Sequence, residues 1–149
     1  MTTLDLILAL RELLQGELMK LELPVQGGDF RHVKCHALKL PSDDVLEESL
    51  YPLVFIEYLG GEDNAEISTT TLLFTIGNFA TANQFDGVFD NLLIIEAVRE
   101  SLLKNKLIGA ASLQYPLQIT SVESTADNFI FSEIVATYKI FSADENYLD

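Results

Sequence analysis

Hydrophobic residues change between helical and strand spacing along the chain, and two stretches have the helical spacing. Apolar residues from Leu6 to Leu21 recur on one helical face, which predicts a first helix over about 3–22 with Thr3 as its cap. A second helix is predicted over about Gln84–Lys106, ahead of Gly109. Its apolar stripe consists of Phe85, Val88, Phe89, Leu92, Ile95, Val98, Leu102 and Leu103.

Five other stretches have strand character. They are Phe30–Leu40, Leu53–Leu59, Thr69–Ile76, Leu113–Val122 and Phe129–Phe141. Leu53–Leu59 is apolar nearly throughout, which is typical of a central strand covered on both faces. The Gly60–Asn64 segment has turn chemistry and predicts a hairpin between this strand and the next.

The predicted order of elements is α-β-β-β-α-β-β. Strands grouped between two helices, without regular βαβ alternation, indicate an α+β fold. We expect one domain over 1–149, with a mixed or antiparallel sheet and two helices packed on one face. The acidic end of the chain, at about 143–149, is expected to form a tail outside this domain.

The composition narrows the possible functions. The net charge of −14 excludes binding of nucleic acid over an extended surface, because such binding needs clustered Lys and Arg. Two interpretations of the acidity stay open, namely solubility through repulsion and an acidic wall that DNA passes without sticking. Hydrophobic residues make up 48% of the chain, which is consistent either with a large hydrophobic core or with exposed apolar surface that binds partners.

The start of the chain predicts neither a signal peptide nor a membrane span. It has no basic n-region and no small-residue cleavage site, and Asp5 and Arg11 interrupt its apolar stretch. Cys35 is the single cysteine, so no disulfide can form within one chain. Synthesis in a reducing cytoplasm is the expectation that follows.

No stretch of the sequence has a recognisable catalytic or cofactor motif. A nucleophile elbow, a glycine-rich phosphate loop and a zinc-protease helix are all missing. His32 and His36 lie four residues apart on a predicted strand, about 13 Å, which is too far for one metal ion. Cys35 would point to the opposite face. We therefore predict no metal, no cofactor and no enzyme activity.

Several segments together resemble a known family. They are the leucine-rich first helix, the strand end Leu40-Pro41, the Tyr51–Ile56 run, the Gly61–Asp63 loop, the Thr71–Ile76 strand, the Phe85–Leu93 helix start, Tyr115–Leu117 and the long last strand. In this order they resemble the tail terminator, or tail-completion, proteins of long-tailed siphophages and related prophages. The resemblance is one of pattern and covers most of the chain.

The resemblance implies a structural role in tail assembly. Such proteins form a ring, typically a hexamer, on the head-proximal end of the tail tube. The ring ends tube polymerisation and presents a surface for head joining. The implied partners are further copies of this chain, the tail tube protein and the head–tail connector protein, while DNA passes through the bore without specific binding. The implied location is the virion tail, after synthesis in the host bacterial cytoplasm.

Two loops are the candidates for the two rims of this ring, Pro41–Leu50 and Gly60–Ile67. Their acidic residues are the candidate docking or bore positions: Asp43, Asp44, Glu47, Glu48, Glu62, Asp63 and Glu66. The alternative is that these carboxylates are only solvated, as exposed charges commonly are.

Two other functions remain open from sequence alone. One is another phage assembly part, such as a head–tail connector or a baseplate component. The other is an acidic protein that imitates DNA and binds a basic host protein, with an affinity that falls steeply in salt.

Overall fold

The computed structural model describes residues 1–21, 23–24, 30–44, 47–79, 84–122 and 129–141, and they form the predicted α+β architecture. In chain order, the elements are α1 (Thr3–Leu18), β1 (Leu23–Pro24), β2 (Phe30–Arg31), β3 (Lys34–Ala37), a 3-10 helix (Glu48–Leu50), β4 (Leu53–Asp63), β5 (Ile67–Phe79), α2 (Gln84–Lys104), β6 (Leu107–Ile108), β7 (Ala111–Val122) and β8 (Phe129–Phe141). The expected acidic tail at about 143–149 lies outside the described residues.

The main sheet has six strands in the order β3-β4-β5-β8-β7-β6. Strands β3 and β4 run parallel, whereas every other neighbouring pair is antiparallel, so the sheet is mixed as predicted. Alternate residues of β5 and β8 are buried in the same core cluster as the apolar faces of α1 and α2. Both helices therefore pack on one face, and period-two alternation decides which strand residues lie beneath them.

Helix α1 has its N-cap one residue earlier than predicted, and it ends at Leu18 rather than near residue 22. Thr2, and not Thr3, is the N-cap, and it exchanges hydrogen bonds with Asp5 in a capping box. The hydrogen bond from the Thr2 backbone N–H holds the pKa of Asp5 below its usual value. The helix ends at Leu18 because the N–H groups of Lys20 and Leu21 bond back only three residues, which tightens the last turn.

The predicted strand Phe30–Leu40 is divided into β2 and β3. Val33 and Cys35 are buried, as the alternation predicted. Lys39 donates a backbone hydrogen bond to the carbonyl of Ala37 at 2.8 Å, and Leu38 has a positive φ of 67°. This local turn, ahead of Pro41, ends the strand.

The predicted hairpin between β4 and β5 is confirmed, but the prediction that Gly60–Asp63 belong to its turn is wrong. Strand β4 continues to Asp63, and the register shifts at a β-bulge between Tyr58 and Gly60. At Gly61 a Cβ atom would lie 2.3 Å from the carbonyl oxygen of Thr69, so the two strands approach too closely for any side chain there. Gly60 thus lies at the bulge and Gly61 where the two strands come close together, and neither lies in the turn.

The turn itself follows at Asn64. Its side-chain oxygen accepts hydrogen bonds from the backbone N–H groups of Glu66 and Ile67, at 3.1 and 2.9 Å. Such a side-chain-to-backbone bond is a common reason for Asn in turns.

Strand β4 is covered on both faces only in its first part, so the prediction of a fully covered central strand is corrected. Val54 and Ile56 are fully buried, but Tyr58 and Leu59 are 52% and 54% exposed. The reason is that the hydrophobic clusters on the two faces of the sheet include residues of β4 only from Leu53 to Ile56.

A second, smaller core lies on the opposite face of the sheet. The ring of Tyr51 packs edge-on against Phe129 and Phe131, with centroid distances of 4.9 and 5.9 Å. Gly77 lies directly beneath, where a Cβ atom would be 2.6 Å from the Tyr51 ring. The segment before β4 is thereby anchored on the sheet, which fixes where the acidic residues of the 40s emerge.

Candidate functional site

The acidic residues of the 40s lie on the surface near the start of β4. Asp43, Asp44, Glu47 and Glu48 are all exposed. Short-range hydrogen bonds shape the segment, from the Asp44 N–H to the Ser42 hydroxyl and from the Ser49 hydroxyl to the Glu47 carboxylate. Residues 45–46 lie outside the described residues.

Arg31 ties this segment to the neighbouring strand. Its guanidinium donates to the carbonyl oxygen of Tyr51 at 3.1 Å and to that of Glu48 at 3.4 Å. The arginine therefore holds backbone carbonyls and leaves the Glu48 carboxylate at the surface.

The second acidic group lies on the β4–β5 hairpin. Glu62 and Asp63 are the last residues of β4, and Glu66 belongs to the turn, so only a short part of the predicted Gly60–Ile67 loop is loop. All three are exposed. Because Glu62 pairs with Thr69 and Asp63 with Ser68, neighbouring side chains on the strand point to opposite faces of the sheet.

The two acidic groups do not converge on one site. They lie at the two ends of β4, whose 11 residues span ~33 Å at the usual rise of a strand. The predicted residues therefore form two separate acidic ends. No single pocket brings them together among the residues described.

Part of the hairpin acidity has a structural explanation. Glu62 and Asp63 line the same surface depression as Met1 and Thr2, at the start of α1. The chain amino group and the positive end of a helix both attract carboxylates. Local charge balance therefore accounts for some of the acidity at this end.

His32, Cys35 and His36 face different directions. Cys35 is buried under α1, and burial raises the pKa of its thiol to about 12. His36 pairs with Phe55 on the other face, where burial, with Lys34 and Arg11 nearby, lowers the pKa of its imidazole. His32 contacts the carbonyl oxygen of Leu21 at 3.2 Å. Within the described ranges, no three His, Cys, Asp or Glu residues are grouped so that they could hold a metal ion.

Sequence reasoning missed an exposed apolar surface on α2. Val88, Phe89, Leu92 and Leu93 are between 40% and 55% exposed, although the first three were assigned to the stripe that packs on the sheet. We call these four residues the α2 patch. In contrast, Ile94, Ile95, Val98 and Leu102 are buried against the sheet. The predicted apolar stripe therefore packs on the sheet in the second half of the helix and is exposed in the first half. The signal was present in the sequence as apolar pairs at 88–89 and 92–93, which are wider than one stripe.

A buried polar network holds the α2 patch in place. Asn91 donates to the Asn78 side-chain oxygen at 2.8 Å and accepts from the hydroxyl of Ser132. Asn78 in turn donates to the carbonyl oxygen of Gly87 at 2.8 Å. These bonds join α2 to β5 and β8, and because buried polar groups are costly when unpaired, they fix the helix in one position.

No protein-family model matches this chain, and a search of curated proteins found no significant match. Neither described helix combines the length and the apolar composition that a membrane-spanning helix requires. The chain is thus an α+β protein with a six-stranded mixed sheet and two helices on one face.

Proposed function

We propose that this protein is a tail terminator of a siphophage or prophage. It caps the head-proximal end of the tail tube as a ring, ends tube polymerisation and forms the surface to which the head is joined. The protein acts by geometric fit and transforms no small molecule. The proposal combines the order of elements, which resembles that family, with the arrangement of the exposed surfaces.

The observation that carries the proposal is the separation of the two acidic ends. Asp43, Asp44, Glu47 and Glu48 precede the start of β4, whereas Glu62, Asp63 and Glu66 lie at its far end, and the strand between them spans ~33 Å. A ring subunit stacked between a tube and a connector needs two docking surfaces that face opposite ways. A strand that carries exposed carboxylates at both ends supplies such surfaces on one rigid element.

The α2 patch supports a role in assembly. Apolar side chains gathered on one exposed helix face are typical of surfaces that bind another protein. The Asn78–Asn91–Ser132 network keeps this face rigid before any partner arrives. A rigid patch loses little conformational entropy on binding, which favours a subunit built for fitting.

The charge supports passage of DNA through the ring without retention. Retention on DNA depends on contacts between cations and phosphate, and this chain has 9 basic residues against 23 acidic ones. Carboxylates at a bore would repel phosphate. DNA would then slide through the ring during packaging and ejection.

Electron microscopy of particles made without the gene tests the proposal. Deletion in the phage or prophage is expected to give tubes longer than the normal tail, because nothing ends polymerisation. A head–tail connector would instead leave tails of normal length that fail to join heads, and a baseplate component would leave the head-proximal end intact. Either of these results, or virions with tails of normal length, would reject the terminator assignment.

Complementation with neutral variants separates the two acidic ends. One variant carries Asp43→Asn, Asp44→Asn, Glu47→Gln and Glu48→Gln, and the other carries Glu62→Gln, Asp63→Asn and Glu66→Gln. If each end contacts a different partner, one variant gives overlong tails and the other gives normal tails that lack heads. A matched control neutralises two exposed carboxylates elsewhere, Glu12→Gln and Glu100→Gln, and is expected to restore full assembly. Full assembly by both test variants would mean that the acidic ends are only solvated.

A further inference from the structure

Each of the two edges of the six-stranded sheet, called its sides below, has a step, because the outermost strand is shorter than its neighbour. On one side, β3 pairs with β4 only from Leu53 to Ile56, and no strand in the described part of the chain pairs with the outer side of Tyr58–Asp63. On the other side, β6 pairs only with Ala111 and Ser112 of β7. One side therefore protrudes where the other recedes.

The two steps lie at matching levels of the sheet. One row of register partners crosses the whole sheet and joins Glu62 to Thr69, Lys139, Ser112 and Leu107. Leu107, on the protruding β6, is thus level with Glu62 on the receding side of β4. If two copies lie side by side with their sheets in line, β6 of one copy fits into the step beside β4 of the next.

The receding part of β4 and the β6 side carry opposite charges. The receding part has Glu62 and Asp63, with Glu57 just before it, and the sequence from residue 40 to residue 98 has no lysine or arginine at all. The exposed lysines on this side of the sheet, Lys34 and Lys39, lie in and just after β3, outside the step. The β6 side has the exposed residues Lys104 and Lys106, and Ser101–Val122 contains no acidic residue. In a chain with a net charge of −14, this segment is exceptional. Opposite charges on the two sides favour contact between unlike sides and oppose contact between like sides.

Exposed apolar residues accompany these charges on both sides. Leu107 is 76% exposed on the β6 side, and Tyr58 and Leu59 are each about half exposed on the β4 side. Lys106 lies over the ring of Tyr115, with its amino group 5.4 Å from the ring centroid, so this lysine already has an oriented side chain. Apolar contact around an ion pair excludes water and strengthens the attraction.

We propose that the β6 side of one copy binds the outer side of β4 in a second copy of this chain. The contact joins two different surfaces, so the first copy keeps a free β4 side, the second keeps a free β6 side, and a third copy can add at either end. Such a head-to-tail contact closes into a ring when the rotation per subunit is right. The inference rests on the proposed function in that it assigns the surfaces from which the ring is built.

Site-directed cross-linking tests the contact. The variant with Leu107→Cys and Glu62→Cys, treated with a short bis-maleimide, is expected to give dimers, trimers and larger products on a denaturing gel. The two cysteines of one copy cannot be joined to each other, because four inter-strand steps separate them by ~19 Å. The protein with its natural Cys35 alone is the control, since that thiol is buried.

The single variants distinguish a head-to-tail contact from a symmetric one. Leu107→Cys alone and Glu62→Cys alone are each expected to stay uncross-linked, whereas their equimolar mixture gives one product, the dimer. Efficient dimers of either single variant with itself would show a symmetric contact and overturn the proposal. So would a double variant that stays monomeric after treatment at concentrations of about 0.5 mM, well above the range of a stable subunit interface.

Charge reversal tests the electrostatic part. Both reversals use a second double-cysteine protein, Leu107→Cys with Leu59→Cys, in which Glu62 is kept. Lys106→Glu and Glu62→Lys, introduced into it separately, are each expected to reduce cross-linking about fivefold or more. Combining both reversals is expected to restore it. Lys20→Glu and Glu12→Lys are matched controls, because they make the same changes at exposed positions in or just after α1, outside β4 and β6. Equal losses in the controls would assign the effect to net charge and overturn the proposed pairing.

The outcome is separable from that of the proposed function. A cross-linked ladder combined with normal tail length after gene deletion would keep the contact and reject the terminator role. Overlong tails after deletion, combined with no ladder, would keep the role and reject these surfaces.

Discussion

The side chain of Gln15 binds the outer backbone edge of β3 at Cys35. The N–H of Cys35 donates to the Gln15 side-chain oxygen at 2.8 Å, and the Gln15 amide nitrogen donates to the carbonyl of Val33 at 3.1 Å. One amide group thus fills the two positions that an added strand would use. Exposed edges invite uncontrolled pairing, and this contact closes β3 to it.

Replacement of Gln15 by alanine is expected to destabilise the protein and to open this edge. Loss of two hydrogen bonds with partly buried partners costs ~1–3 kcal/mol of the free energy of unfolding. Urea unfolding followed by circular dichroism measures the cost, and light scattering measures any new association. Glu12→Ala, at an exposed position of the same helix, is the control and is expected to change stability by less than ~0.5 kcal/mol. Equal stability of both variants would mean that the Gln15 contact does not stabilise β3.

Alanine at Gly77 is expected to disturb the aromatic cluster on the second face. Its Cβ would lie 2.6 Å from the Tyr51 ring and 3.0 Å from that of Phe131, so the rings must move. Overpacking of this kind costs ~1–3 kcal/mol. Gly16→Ala is the matched control, because nothing lies within 4 Å of a Cβ there and alanine favours a helix by up to ~1 kcal/mol. Thermal unfolding of the two variants should therefore shift in opposite directions, and a shift in the same direction would contradict the packing at Gly77.

Alanine at Asn91 is expected to loosen α2 from the sheet. The substitution removes the donor to the buried Asn78 side-chain oxygen and the acceptor of the Ser132 hydroxyl, at a cost of ~2–4 kcal/mol. Asn105→Ala removes one hydrogen bond, to the Ser101 carbonyl at the end of the same helix, and should cost ~1 kcal/mol or less. Hydrogen exchange of the α2 amides locates the effect. If both variants lose the same protection, then the buried network is not what holds the helix.

Burial of Cys35 predicts a loss of stability at high pH. The thiol has an ordinary pKa of 9.0 when exposed and of about 12 in the folded protein. A raised folded pKa contributes stability that is complete below pH 9 and falls as pH rises toward 12, because the unfolded state then releases a proton that the folded state retains. The stability advantage of the natural protein over Cys35→Ala should therefore shrink above pH 9, by at most ~1.4 kcal/mol per pH unit.

Urea unfolding of both proteins at pH 8, 9, 10 and 10.5 checks this difference. The raised pKa values of the buried Tyr51 and Tyr138 affect both proteins equally and cancel in the comparison. A constant difference across this range would show that Cys35 titrates in the folded protein as it does when exposed.

Periodicity was a good guide where one face of an element is buried and the other is wet. Strand β8, Phe129–Phe141, has the predicted bounds because Ile134, Ala136, Tyr138 and Ile140 alternate with polar residues. The same reasoning placed α2 within two residues of its true end at Lys104. The residues near Gly60 were assigned to the wrong kind of structure, because a glycine pair beside acids is equally compatible with a turn and with a bulge. The ends of α1 and β3 were also predicted too late, since the local turns that end them are not visible in the spacing of apolar residues.

The sequence alone determined the kind and order of the elements, the α+β class and the acidity of residues 40–98, since these follow from local spacing and composition. Only the tertiary structure decided which residues meet. Asn78, Asn91 and Ser132 form one network, the α2 patch faces outward, and the two acidic groups lie at opposite ends of β4. The physical reason is that strand register, the bulge at Gly60 and helix docking depend on contacts between residues distant in the chain, which local pattern does not encode.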